Sequence, residues 1–237
     1  MNWKEWKPIY LTIVDRLHLD PSQDRRATAL LTEMLGPIDP RPLIVQLQET
    51  IMNKQVVICG AGPSLEKHIQ KTVKEEGSQD VVYVAADGAV SVLLDNHCQC
   101  SIVITDLDGN LNHIREAVEQ GTQIVVHGHG DNIQKISEVV PTLDNVLGST
   151  QVEPTNRAFL WGGFTDGDRA CHLVAEYSPR RMILAGMDFG SVVGKWSKPD
   201  CISHFPATER KRIKLEIAQD LISSLFDRVN IPHIFLD

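Results

Sequence analysis

The sequence predicts an α/β protein built on a doubly wound, mostly parallel sheet, with an N-terminal helical subdomain ahead of it. Three observations lead there. From about residue 54, short apolar runs alternate with helix-length amphipathic stretches, the pattern of βαβ units. Before residue 54, apolar residues recur only at helical spacing. Finally, the apolar runs of the middle and late chain lead into aspartates: 81–86 into Asp87, 101–105 into Asp106-Leu107-Asp108, 123–126 into His127-Gly128-His129-Gly130-Asp131, and 182–186 toward Asp188. Parallel strands would gather these acids at one edge, where open α/β folds bind ligands. Crowded carboxylates repel unless a cation or a donor-rich ligand lies between them, and Mg²⁺ with a polyphosphate supplies both.

Each element has its own signal. Trp6, Ile9, Tyr10, Ile13, Val14 and Leu17 make the stripe of a first helix. Asp20 caps a second, with Pro21 in its first turn. Ala27, Leu30, Leu31 and Met34 form the stripe of that helix, and Gly36-Pro37 stops it. A third helix is expected over 41–52. Residues 1–53 are therefore read as a helical cap on the sheet, and 54–237 as an α/β nucleotide-binding catalytic domain. Strands are expected at 56–59, 81–86, 101–105, 123–126, 145–147, 182–185 and 234–236. Helices are expected at 64–76, 114–119, 168–177 and 207–229. Residues 190–205 read as one long irregular connection, a candidate lid that carries Lys195, Trp196, Lys198 and His204.

Composition narrows the function classes. A formal net charge of −8 with no basic stripe argues against a nucleic-acid-binding surface. No run approaches the roughly 20 apolar residues of a transmembrane helix, and the first residues lack the apolar core of a signal peptide. Five cysteines, an odd number, suggest reduced thiols and a cytoplasmic location. The sequence is compatible with a homodimer and does not specify one.

Five motifs carry chemistry. Gly60-Ala61-Gly62-Pro63-Ser64-Leu65 lies between a strand and a helix. Its glycines permit close backbone approach to phosphates, and the helix N-terminus favours negative charge. The third glycine of a dinucleotide fingerprint is replaced by Leu65. Asp106 and Asp108, at i and i+2 just past a strand, are placed to grip one Mg²⁺. His129 and Asp131 follow glycines that bring backbone close to a ligand. In Gly162-Gly163-Phe164-Thr165-Asp166-Gly167-Asp168, a carboxylate could accept paired hydrogen bonds from an amino-heterocycle while Phe164 stacks on it; the plainer reading is that Thr165 or Asp166 caps a helix. Lys211 and Lys214, at the start of the last helix, are either a solvated face or point charges for ATP phosphates.

In this order the motifs resemble the archaeal MptE-like family of 6-hydroxymethyl-7,8-dihydropterin pyrophosphokinases. The resemblance runs from Gly60-Ala61-Gly62-Pro63-Ser64 through Ala86-Asp87-Gly88-Ala89, Thr105-Asp106-Leu107-Asp108-Gly109, 127–132 and 163–170 to the lysine-bearing last helix. It implies Mg²⁺-dependent transfer of diphosphate from ATP to a reduced pterin. Asp106 and Asp108 would hold the metal, with Asp87 and Asp131 as further candidates. Gly60, Gly62, Pro63 and Ser64, with Asp87 and Gly88, would lie on the nucleotide side, and Lys211 on phosphate. Gly163, Phe164, Thr165, Asp166, Asp168 and His129 would face the pterin. The general base stays open between Asp131, His129 and a metal-held alkoxide. Thiamin pyrophosphokinase, with two similar acidic motifs, and a glycosyltransferase-like nucleotide-sugar domain are the rival readings.

Overall fold

Each N-terminal helix starts on its own side-chain cap. In the computed structural model, which describes residues 1–76 and 81–237, Asn2 and Glu5 form a capping box on α1 (Trp3–Leu17). Asp20 accepts from the Ser22 amide at the head of α2 (Pro21–Met34), and Asp39 from the Arg41 amide at the head of α3 (Pro40–Ile51). Such caps satisfy amides that have no partner inside the helix. The alternating part follows: β1 (Gln55–Cys59), α4 (Leu65–Glu76), β2 (Val81–Ala86), α5 (Val90–Asp95), β3 (Cys100–Thr105), α6 (Leu111–Glu119), β4 (Gln123–Gly128), α7 (Ile133–Val139), β5 (Val146–Thr150) and β6 (Ala158–Phe159). The chain ends with α8 (Asp166–Glu176), β7 (Arg181–Ala185), β8 (Val192–Val193), β9 (Phe205–Pro206), α9 (Glu209–Arg228) and β10 (His233–Phe235).

Eight strands form one sheet in the order β10-β7-β1-β2-β3-β4-β5-β6, and every pairing in it is parallel. Strands β1, β4 and β5 are buried at every position, as a parallel sheet covered on both faces requires. On one face Val57, Cys59, Val103 and Val126 pack against α2 and α4–α7; on the other Val56, Ile58, Ile104 and Leu184 pack against α3, α8 and α9. The first three helices thus share in the cores around the sheet. Helices α2 and α3 lie on opposite faces, and α1 sets Trp6, Tyr10, Ile13 and Leu17 against Ile217 and Leu221 of α9. Burying side chains of this size stabilises by about 1.5–3 kcal/mol each, so Leu17→Ala would open that seam.

The winding fixes where ligands have room. The helix after β1 lies on one face and the helix after β7 on the other, so the crevice falls between the carboxyl ends of these two neighbours. The expectation of one irregular connection over 190–205 needs correction. β8 and β9 pair as a small antiparallel ribbon, with a 3-10 turn at Lys195–Ser197 between them. The strand expected to stop at 126 also continues through His127 and Gly128.

Candidate active site at the carboxyl edge of the sheet

Asp87 stands at the end of β2 with a left-handed backbone (φ 48°). Its carboxylate accepts the Thr105 hydroxyl at 2.6 Å and the backbone amides of Gly88 and Gly109. A side chain at Gly109 would collide with Asp87 and the Gly88 amide, which explains glycine there. Asp106, one residue past β3, accepts the Asp108 amide at 3.1 Å and faces His129 Nε2 at 3.3 Å. The Asp131 amide donates to His129 Nδ1 at 3.3 Å, so a neutral His129 carries its proton on Nε2 and donates it to Asp106. Asn132 ties the two strand ends together, donating to the carbonyls of Asp106 and His127.

Asp166, in the first turn of α8, completes the cluster. Carboxylate oxygens of Asp87, Asp106 and Asp166 all lie within 4.8 Å of one another. Burial, and then the neighbouring Asp106, push Asp87 up to about 7. Burial, Asp106 and Asp87 raise Asp166 well above the usual carboxylate range. Burial works in the same direction on Asp106, but the hydrogen bond from His129 outweighs it and holds Asp106 low. Three hard oxygen donors at this spacing suit a divalent cation with oxygen preference.

Asp108 has different company. Lys135 of α7 donates to its Oδ1 at 2.6 Å, and Lys198 from the β8–β9 ribbon donates to its Oδ2 at 2.5 Å. Burial opposes ionisation of Asp108, yet the two ammonium groups hold its pKa at about 2. Asp131 is outside the cluster, its side chain 81% exposed. Lys211, half-buried on α9, faces Asp166 and Asp106; burial and Lys214 lower its pKa against the pull of those acids.

The remaining expected residues are placed as follows. Gly162 and Gly163 have φ of 100° and 82°, the left-handed region that favours glycine, and a Cβ at Gly163 would strike the Arg169 backbone. Phe164 is buried with Trp6, Tyr10 and Leu221, with Lys214 Nζ 5.9 Å from its ring centre. Asp168 is fully buried and accepts the amides of Phe164 and Thr165 and the Thr165 hydroxyl, so it serves its own helix start. At the crevice, Ser64 donates its amide and hydroxyl to Asp188 at 2.8–2.9 Å. Side chains at Gly60 or Gly62 would meet the Gly186 carbonyl. At Gly88, one would meet the Trp196 carbonyl.

Several residues at or under the site were not singled out from sequence. Buried Arg169 donates to the carbonyls of Gly163 and Phe164 and puts a positive charge beneath the acids. Asp24 of α2 accepts from the Tyr10 hydroxyl, Gln151 and the Gly130 amide, and so holds the His129 turn. Its signal was available, since Asp24 sits on the stripe of Ala27, Thr28 and Leu31, all buried. Lys135 and Asn132 gave no comparable signal.

Comparison with known proteins bears on this arrangement. The family model described as 6-hydroxymethylpterin diphosphokinase MptE-like matches residues 30–194. A Pyrococcus furiosus protein named 6-hydroxymethyl-7,8-dihydropterin pyrophosphokinase is 42% identical over 95% of this chain and 94% of its own length. A Methanocaldococcus jannaschii protein of the same name is 37% identical over 99% of this chain and all of its own. One from Methanothermobacter thermautotrophicus is 36% identical over 94% and 93%. Among solved structures, the MAf glycosyltransferase from Magnetospirillum magneticum AMB-1 aligns with a TM-score of 0.46 at 16% identity, over 81% of this chain and 37% of that one.

Proposed function

This chain belongs to the 6-hydroxymethylpterin diphosphokinase MptE-like family, and from that premise we propose that it is an ATP-dependent 6-hydroxymethyl-7,8-dihydropterin pyrophosphokinase. The hydroxymethyl oxygen bonds the β-phosphorus, the bond from that phosphorus to the oxygen bridging to the α-phosphorus breaks, AMP departs and the hydroxyl proton is released. The observation that carries the reading is the Asp87–Asp106–Asp166 cluster at the carboxyl edge, ringed by Lys135, Lys198 and Lys211. Its all-oxygen donor set fits Mg²⁺, which when bound would neutralise phosphate oxygens and the charge developing on AMP. The residues themselves align: the edge by Gly88 and Lys198 takes the nucleotide side, the 60–64 loop packs behind it on Asp188 and the Gly186 carbonyl, and the turn at Thr165 and Asp166 with His129 takes the pterin side. Both ring nitrogens of His129 are engaged, so the proposed route for the proton runs to Asp131 or through an alkoxide held on the metal.

No helix among the described residues is long and apolar enough to cross a membrane, and the five thiols are free, which supports the cytoplasm as the proposed compartment. Exposed Val45 on α3 and Met52 just past its end lie beside edge strand β6, and there we propose a homodimer contact that light scattering tests. Incubation with ATP, Mg²⁺ and either hydroxymethyldihydropterin or thiamin tests the activity. The pterin diphosphate and AMP are expected; thiamin diphosphate in their place overturns the substrate.

A further inference from the structure

We propose that Asp108 is a positioning residue that holds two phosphate-binding lysines, Lys135 and Lys198, and that Lys198 is a catalytic residue carried over the site by the β8–β9 ribbon. This rests on the diphosphokinase reading and assigns to Asp108 a role that its i, i+2 spacing from Asp106 does not suggest. Leu107, between them, has a left-handed backbone (φ 68°). Asp106 joins Asp87 and Asp166, whereas each oxygen of Asp108 already carries one ammonium group. A cation at Asp108 would have to approach a carboxylate already flanked by two ammonium groups and share its oxygens with them. At the cluster it would relieve repulsion.

The two lysines are held differently. Lys135 sits on α7 and donates both to Asp108 and to the Leu107 carbonyl at 3.0 Å. Lys198, with a side chain 53% exposed, donates to Asp108. An ammonium has three donors, so each lysine keeps capacity for a phosphate oxygen. The ribbon is seated by close backbone approach: the Trp196 carbonyl lies over Gly88, and Gly194 lies against the Ala61 carbonyl. The Lys195 amide donates to His204 Nδ1 at 3.1 Å, and the His204 ring meets Trp196 edge-on at 5.3 Å. Lys198 is thereby fixed beside Asp108 with its charge felt by Asp106 and Asp87. A polyphosphate carries more negative charge than one divalent cation neutralises, and fixed ammonium groups supply the rest without reorganisation.

The test separates metal binding from phosphate binding in the full-length protein. Calorimetry with Mn²⁺ alone should show affinity in Asp108→Asn and Lys198→Met within about threefold of wild type, and a loss of about thirtyfold or more in Asp106→Asn and Asp166→Asn. Lys198→Met should lower kcat/KM for ATP about thirtyfold, with the pterin KM within about twofold. Lys198→Arg should recover to within about fivefold, because it restores the charge with a different donor geometry. Loss of Mn²⁺ affinity in a folded Asp108→Asn overturns the assignment and makes Asp108 a ligand. Unchanged ATP kinetics in Lys198→Met overturns it equally, and decides the matter if Asp108→Asn does not fold. If the wild type makes no pterin diphosphate, the diphosphokinase reading falls, while the Mn²⁺ measurements still decide Asp108.

Discussion

The carboxyl ends of β1 and β7, and those of β2 and β3, are neighbours on one sheet edge, and they meet their charge requirements in opposite ways. At β1 the start of α4 offers an anion site, and the protein's own Asp188 occupies it through Ser64. The glycines there give way to the Gly186 carbonyl and to Asp188. At β2 and β3 three carboxylates face one another; hydrogen bonds orient Asp87 and Asp106, and among the described residues no lysine or arginine is bonded across all three. A glycine loop before a helix therefore announces an anion without saying whose. An acid cluster with basic groups around it but none seated between its three carboxylates is the stronger pointer to a ligand.

The largest effect should come from breaking the acid side. Asp106→Asn removes a central carboxylate and should lower kcat roughly a thousandfold or more, on the order of 4 kcal/mol in the transition state. Circular dichroism should show an intact fold. Near-normal turnover in the folded variant would dissolve the distinction between the two regions.

On the glycine side the expected loss is of stability. Gly62→Val places a branched side chain against Asp188 and the Gly186 carbonyl, and overpacking against backbone costs about 3 kcal/mol. The urea midpoint measures it. A variant as stable as wild type but deficient in nucleotide binding would mean that the loop faces ligand rather than protein.

Much of this was legible in sequence, and the failures share a cause. The strands of the parallel core were found to within a few residues because buried apolar runs bounded by turn residues have few other readings. Ala158–Phe159, Val192–Val193 and Phe205–Pro206 are strands of two residues, too short to carry a period. Helices Val90–Asp95 and Ile133–Val139 span fewer than two full turns. In the site, sequence reasoning groups Asp87 with Asp106 as metal candidates but adds Asp108 to them and assigns Asp166 to the pterin, whereas the fold gathers Asp87, Asp106 and Asp166. Asp106 and Asp108 are two residues apart, and the left-handed Leu107 separates their surroundings. Asp166 joins them from about sixty positions away, through the docking of α8 on the sheet. Spacing along a chain reports chemistry well and direction poorly once a turn leaves the common backbone regions.

A third prediction sharpens the contrast through pH. Asp87, raised to about 7 in the fold, binds a proton that the unfolded chain, with an ordinary carboxylate, releases near pH 4. Its contribution to stability is therefore present at low pH and declines from about pH 4 to 7; Asp166 follows the same direction. Asp108, held at about 2, acts only below that window. Buried His127 and His172, with lowered pKa values, oppose the trend but do so equally with and without cation. The stabilisation by Mg²⁺ should therefore be larger at pH 8 than at pH 5.5, by on the order of 2 kcal/mol. Thermal unfolding with and without Mg²⁺ reads it. Equal shifts at both pH values would separate the cation from these carboxylates.

The smallest expected effect discriminates most finely. Ser64→Ala removes the hydroxyl that donates to both oxygens of Asp188 and keeps the backbone amide that donates to the same carboxylate. If Asp188 serves to complete the start of α4, losing the hydroxyl costs about 1 kcal/mol of stability, a typical figure for a capping interaction. Nucleotide affinity should change by less than about twofold, because a loss of that size on the folded side does not alter contacts to a ligand elsewhere. If instead a nucleotide displaces Asp188 and takes the Ser64 hydroxyl itself, the ordering reverses. Affinity for ATP then falls about tenfold, while the melting temperature without ligand hardly moves. Calorimetry with a non-hydrolysable ATP analogue, beside a thermal melt of the same sample, reads both quantities. The two outcomes differ in which number moves, so even this small effect decides whether the β1–β7 crevice is closed by its own aspartate or kept for an incoming phosphate.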